Sequence, residues 1–348
     1  MLSCNVVKRV EENEHLLTEA NVYVNDKKNK TEEINKLLYQ RPNNAVFGFP
    51  LQLHIYNLAR PNIDSILEEK ILNNPKKLKR KTDLLSRKQL EMDLESRKDF
   101  NAWLKKTGEP PVLIDSTRTI KSKINLEKYF FGNGWFDREV TYEINRNDNK
   151  RGTVSYFVKT GDPYVLDTIS TKIASPVIDS LYQASKKKSI IKTGQQFRRI
   201  HFDNERNRLA NNFRNSGVYH FSQDYISFDI DTVGTGKKAN IQLEIKNREI
   251  RNADSTARVP FKIYKIKEVN IITDDTYENN AAEFQDSVNY NNFNLYSYDK
   301  LRYRPKALTD VVFINKDSLY KDIDRQRTLR YLNELKTFRY PRIEYLEN

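Results

Sequence analysis

The 348-residue chain has a single cysteine, Cys4, so no disulfide can form within it. That excludes a fold stapled by bridges and leaves core packing to hold the structure. Long apolar runs are missing too: nothing approaches the roughly 18 residues of a membrane-spanning helix. The opening Met1-Leu2-Ser3-Cys4-Asn5 lacks the apolar stretch of a complete secretory leader. The four histidines, His15, His54, His201 and His220, are scattered without metal-ligand spacing. There is no Gly-x-Ser-x-Gly turn. Gly234-Thr235-Gly236-Lys237-Lys238 fails as a phosphate loop, because Asp231 stands where that loop needs its first glycine and Lys238 where it needs Ser or Thr. Asp229-Ile230-Asp231 lacks the rest of a calcium loop. A cysteine nucleophile has only position 4 to occupy. The common hydrolase, nucleotide and metal chemistries are therefore not legible, and the reading is a chain that is no enzyme and holds no cofactor.

What is present is charge and aromatic bulk. Sixty Lys and Arg against 47 Asp and Glu give a net charge of +13, and charged residues make up 31% of the chain. With 38% hydrophobic residues this suits several small domains better than one large globule. The 11% of aromatics is too rich for a disordered chain. A basic excess fits nucleic acid, an anionic membrane surface or acidic proteins, and does not choose among them. The densest basic tract, Lys76 to Lys81, reads as a solvated loop.

One pattern recurs three times. Leu126 and Phe130 stand four apart, followed by Asn133-Gly134 and the aromatic Trp135; Leu209 and Phe213 stand four apart, followed by Ser216-Gly217 and Tyr219. The spacing places Leu and Phe on one helix face, and the glycine suits a left-handed helix end. A looser third copy runs Leu329, Leu332, Leu335, with Lys336 at the glycine position and Phe338 after it. Behind the first two helices apolar residues alternate: Val140, Tyr142, Ile144, then Val154, Tyr156, Val158; and Ile226, Phe228, Ile230, then Ala239, Ile241, Leu243, Ile245. Period-two alternation interrupted by polar turns reads as hairpins with one buried face.

Each unit also opens with a strand and a helix. Leu16 to Val24 reads as a strand and Thr31 to Tyr39 as a helix capped by Thr31. Val165 to Ser170 reads as a strand, and Pro176 starts a helix to about Lys188. Phe261 to Ile266, continued at Val269 and Ile271, reads as a third opening strand. The fold class is α+β, a tandem of β-α-α-β-β units with two helices on a small mixed sheet. The expected organisation is a tether over 1–12, a first unit over 13–163 with a helical insertion at about 41–118, a second over 164–259, and a third over 260–348. The third carries an insertion at about 275–304 and stops before its last strand. Asn247 to Pro260 reads as an interdomain linker.

The unit order, with Asn215-Ser216-Gly217-Val218-Tyr219-His220-Phe221-Ser222 before two alternating strands, resembles polypeptide-transport-associated (POTRA) domains of the BamA/TamA outer-membrane assembly superfamily. The segment from Val311 to Tyr345 resembles the last such domain of TamA-like proteins, in which a strand, a short intervening segment and a returning strand recur. Together with Cys4 the chain is similar to the lipoprotein TamA-like proteins (TamL) of Bacteroidetes. The resemblance implies a periplasmic region of an outer-membrane protein, lipid attached at Cys4, preceding a β-barrel that these residues do not include. It implies unfolded outer-membrane proteins, TamB-like or other assembly subunits and the outer membrane as partners, with no nucleic acid. It also implies where an extended polypeptide would add a strand: the first strand of each closing hairpin, Glu139, Val140, Thr141, Tyr142, Glu143 and Ile144, and Tyr225, Ile226, Ser227, Phe228, Asp229 and Ile230. Two alternatives stay open: a periplasmic scaffold lipoprotein without a barrel, and a basic nucleic-acid-binding protein using phosphate contacts and base stacking.

Overall fold

The computed structural model describes residues 6–252, 255–276, 279 and 282–347. The expected lipid site at Cys4 lies outside the described residues. The chain divides into two units, Met1–Pro163 and Tyr164–Asn348.

In the first unit, β1 (Leu16–Val24) turns through Asn25 and Asp26, both at positive φ, into the short β2 (Lys27–Asn29). Asn and Asp tolerate the left-handed region that such a tight turn needs. The helix expected from Thr31 to Tyr39 is only α1 (Glu32–Asn35). Thr31 donates its hydroxyl back to Asn29 Oδ1 (2.7 Å) instead of capping, and the Tyr39 amide is taken by Ser122 Oγ (2.9 Å). With Ile34 and Leu38 already buried, a longer helix gains nothing.

Residues 41–118 are largely helical: α2 (Leu51–Leu58), α3 (Ile63–Leu67) running on through a π-turn at Glu68–Leu72, α4 (Pro75–Thr82), α5 (Arg87–Thr107) and the start of α6 (Ser116–Gly132). Ser86 and Gln89 form a reciprocal capping box at the start of α5. The basic tract is not the expected loop but α4, with Asn74 accepting from the Lys77 amide (3.1 Å) and Pro75 in the first turn. Lys and Arg are good helix formers, so a capped stretch of them forms a helix that buries no residue.

After α6 come β3 (Glu139–Asn147) and β4 (Arg151–Lys159). The strand order is β2-β1-β4-β3, with β1 parallel to β4 and the other pairs antiparallel. Leu126 and Phe130 of α6 bury one face of this sheet against Val22, Val154, Tyr156 and Val158.

The second unit repeats the course. It runs β5 (Val165–Ile173), α7 (Pro176–Ser185), a 3-10 turn at Lys186–Lys188, α8 (Arg199–Arg214), β6 (Ile226–Asp231) and β7 (Lys238–Ile245). The order is β5-β7-β6, with β5 parallel to β7. Leu209 and Phe213 are fully buried, as is Leu126 in the first unit. The helix ends match as well: the Trp135 amide donates to Phe130 O (3.0 Å) and the Val218 amide to Phe213 O (3.1 Å), around Gly134 and Gly217 at φ +92° and +99°. A carboxylate pins the α7–α8 connection. Glu205, 1% exposed, accepts from Arg208 Nη2 (2.6 Å) and Nε (2.8 Å), Ser189 Oγ (2.9 Å) and the Ile190 amide (3.0 Å). Burial pushes its carboxyl up, but these donors outweigh burial and hold it below the usual range.

The remainder departs from expectation. The stretch read as a linker is a two-stranded hairpin, β8 (Arg248–Asn252) with β9 (Ser255–Val259). Phe261 does not open a strand; its ring sits in the second core against Phe221 (5.1 Å) and Tyr225 (5.0 Å). The strand there is β10 (Val269–Ile272), parallel to β12 (Phe293–Ser297), which pairs in turn with β11 (Asp286–Tyr290). The β11–β12 turn places Asn291 and Asn292 at positive φ, so this hairpin closes locally and takes the place beside β10. Helices α9 (Pro305–Thr309) and α10 (Asp322–Glu334) follow it. Among the described residues 338–347 there is no strand. Ile343 and Tyr345 pack on Tyr320 instead.

Arg214, in the last turn of α8, ties the second sheet to this last part. It donates to Tyr219 O (3.3 Å), Phe221 O (3.0 Å), Tyr320 Oη (3.0 Å) and Asp322 Oδ1 (2.6 Å). Asn215 Oδ1 accepts the Ile323 amide (2.8 Å) at the start of α10. Rings of Tyr219, Tyr264, Tyr320 and Tyr345 meet edge-to-face or tilted around the pair, and burial pushes the Tyr345 hydroxyl up to about 12. A side chain at Gly217 would be strained: besides the positive φ, a Cβ would meet Ile263 Cγ2 at 2.7 Å.

Two outcomes follow for stability. Burial raises the Asp322 carboxyl, but the Arg214 guanidinium and the Tyr320 hydroxyl overcome that and bring it from the ordinary 3.8 to about 2. A depressed carboxyl contributes stability that is complete above its unfolded value and is lost as pH falls through the folded one, here roughly 2 kcal/mol disappearing between about pH 4 and pH 2. Asp322→Asn should cost about 3 kcal/mol in urea titrations by stranding Arg214, and should flatten that acid limb. At the end of α10, Lys336 holds φ +53°, the left-handed place that glycine fills in the other two copies. Lys336→Gly should therefore raise the urea midpoint, with a gain of about 1 kcal/mol.

Candidate functional site: open sheet edges

A parallel first strand needs the last strand as its neighbour, so the middle strand of each unit is left outermost. β3 pairs along its whole length with β4, from Glu139↔Lys159 to Asn147↔Arg151, and no strand lies on its other side among the described residues. β6 pairs with β7 from Ile226↔Ile245 to Asp231↔Asn240 and is likewise outermost. In an antiparallel ladder half of an edge strand's N–H and C=O groups point away from its partner. The side chains alternate across these edges. Val140 and Ile226 are buried and Tyr142, Ile144 and Phe228 half-buried, while Glu139, Thr141, Glu143, Asp229 and Ile230 are exposed and Ser227 half-buried.

Tyr225 does not belong to this edge. It ends a 3-10 turn at Gln223–Tyr225, started by Ser222 Oγ accepting the Asp224 amide (3.1 Å). Its ring is drawn inward by Phe221 (5.9 Å) and Phe261 (5.0 Å), and its carbonyl accepts the Lys246 amide (3.1 Å).

Beside β6 runs a shallow cleft of about 540 Å³, lined from α8 by Asp203, Arg206 and Asn207. Arg206 lies over the Phe228 ring (5.3 Å), pairs with Asp203 (2.7 Å) and donates Nε to Ile226 O (3.3 Å). A guanidinium thus occupies the first carbonyl of the β6 edge. Sequence reasoning missed Arg206; its only signal was a cation one helical turn after Asp203. The corresponding cation near β3, Arg138, turns away to Glu127 O (3.2 Å) and Phe136 O (3.0 Å) with its guanidinium over Phe131 (4.7 Å). Sequence reasoning also missed another hairpin strand that is outermost in its sheet, β11, in the order β10-β12-β11. Asn289, Asn294 and Asn270 form a hydrogen-bonded ladder (2.8 Å each) across that sheet. The alternation of Val288 and Tyr290 before an Asn-Asn turn was the available clue.

The other sequence candidates are dispersed. The ring of His54 stacks on Phe49 (4.4 Å) and His220 faces Glu347, and Gly234 and Gly236 turn the β6–β7 hairpin. Among the described residues no group of three His, Cys, Asp or Glu is gathered as a metal site, and no helix is long and apolar enough to cross a membrane.

No family model matches the chain, and no curated protein matches its sequence. Among solved structures it is similar to POTRA3-5 of Haemophilus influenzae BamA, at 10% identity over 95% of this chain and 90% of that one, with a TM-score of 0.33. It is also similar to POTRA1-3 of the periplasmic domain of Omp85 from Anabaena, at 11% identity over 95% and 88% with a TM-score of 0.26. The N-terminal domain of Omp85 from Thermosynechococcus elongatus aligns at 12% identity over 95% and 89%, with a TM-score of 0.25. The chain's own structure is α+β, small mixed sheets with helices packed on one face.

Proposed function

We propose that this chain binds extended polypeptide by strand addition at β3 and β6, as the periplasmic region of an outer-membrane assembly or translocation factor of the BamA/TamA type. One observation carries the reading: two sheets of unrelated loop content leave the same strand of the same hairpin at an open edge. An edge pairs through main-chain bonds, which read an extended shape and tolerate any alternating sequence. Barrel precursors arrive as such segments, apolar and polar by turns. Each bond is worth about 1 kcal/mol net, so a handful of them hold a client weakly enough to pass it on. The finer assignments rest on the motif resemblance alone: tandem modules over 13–163, 164–259 and 260–348, lipid attachment at Cys4 and TamB-like partners.

The test is capture in cells. A photo-crosslinking side chain at Thr141 or Ser227 of the full-length protein should capture unfolded barrel precursors, whereas one at Gln242, exposed on the central strand β7, should not. Equal capture from all three positions, or none from the edges, overturns the reading. Because Arg206 covers the Ile226 carbonyl, Arg206→Ala should raise capture at Ser227 about fivefold while leaving Thr141 unchanged. Circular dichroism would confirm that the variant folds.

A further inference from the structure

In a chain with 31% charged residues, no Lys, Arg, Asp or Glu occurs between Arg41 and Arg60. The structure turns this stretch outward. Val46 and Phe49 exchange two backbone hydrogen bonds of 3.0 Å across a tight turn whose tip is Phe47-Gly48. Both tip residues have positive φ, +49° and +79°. That conformation is unfavourable for a bulky side chain, yet Phe47 stands fully in solvent, with Val46 62%, Leu51 51% and Leu58 67% exposed. Leu51, Ile55 and Leu58 share one face of α2 by their i, i+4, i+7 spacing, and the tip continues that face through Phe49. The opposite face buries Leu53 and Asn57, so α2 presents its more apolar side to the outside.

We infer that this ridge is a membrane contact: Phe47, Val46, Leu51 and Leu58 enter the interfacial region of an anionic phospholipid monolayer. Three features select lipid over a protein partner. The tip carries a fully exposed aromatic, Phe47, beside the exposed Val46. The backbone polar groups flanking the tip are satisfied within the turn, and the Pro50 carbonyl accepts the His54 amide (3.1 Å), which lowers the cost of leaving water. The exposed cations Arg41, Arg60, Lys105 and Lys106 bracket the ridge, with Lys105 Nζ reaching Pro61 O (3.3 Å). Apolar side chains below and cations at headgroup level are the arrangement of interfacial binding. The acidic neighbour, Glu109, is engaged with the Asn44 amide (3.0 Å).

The experiment uses the full chain with Cys4→Ser, so that no acyl chain contributes, and vesicles of phosphatidylethanolamine and phosphatidylglycerol. Phe47→Trp should shift its emission to the blue on vesicle addition and be quenched by lipids brominated near the headgroup, above the signal of Trp103 and Trp135. Phe47→Gly with Leu58→Ser should reduce co-sedimentation about tenfold or more. The glycine relieves the backbone, so loss of binding in a protein that melts no lower than its parent separates contact from folding. An unshifted spectrum of the Phe47→Trp variant, unchanged sedimentation of the double variant, or a vesicle-independent dimer that the double variant abolishes would each overturn the inference.

Discussion

Parallel pairing between the first and last strands of a unit is the constraint on which the rest depends. It draws β4 and β7 into the centre of their sheets, where both edges are hydrogen-bonded and one face is fully buried. The hairpin partner of a central strand has only one place left, the outside. The intervening helices must then cross a single face, and a Leu–Phe pair one turn apart is the smallest wedge that fills it. An open β3 and an open β6 are consequences of connectivity before any side chain is chosen. The third sheet makes the point independently: β10, β11 and β12 reach the same 1-3-2 order although their long helix follows the strands.

A second constraint acts where the chain leaves each helix. The left-handed residue after Phe130 and Phe213 reverses the backbone so that Trp135 and Val218 fold back onto the helix they follow. At Gly217 this reversal has a neighbour pressed against it, since Ile263 fills the space of a Cβ and Tyr264 donates its amide to Gly217 O (2.9 Å). Arg214 then gathers two carbonyls of the turn, one phenol and one buried carboxylate. The charge is tolerated because both Nη groups are hydrogen-bonded and paired with a carboxylate, and removing either partner leaves the other uncompensated. The joint is stiff for electrostatic reasons and shaped by an apolar one.

What the amino-acid order revealed follows from the range of the forces involved. β1, β3, β4 and β7 were legible because alternation is a local signal that tertiary packing here reinforces. The length of α1 was not, since it depends on Ser122 accepting an amide from far away in sequence. The Lys76–Lys81 tract looked like a loop because it lacks an apolar face, yet a capped run of good helix formers needs none. Phe261 looked like strand because its neighbours alternate, but its ring had a ready-made aromatic pocket in another sheet. β3 and β6 lie outermost in their sheets, and Tyr225 is drawn out of β6 by the same pocket. Arg206 had only a faint sequence signal, its spacing from Asp203, because its place depends on the carbonyl that it covers.

Open edges are liabilities, and the sequence manages them. β6 carries Asp229 and Asp231 and has its first carbonyl occupied, so two copies meeting edge to edge bring like charges together and must displace a guanidinium. β3 carries Glu139 and Glu143 with Arg146. The two edges therefore differ: a strand approaching β6 has to displace the Arg206 guanidinium from the Ile226 carbonyl, whereas among the described residues no side chain is seen on a carbonyl of β3.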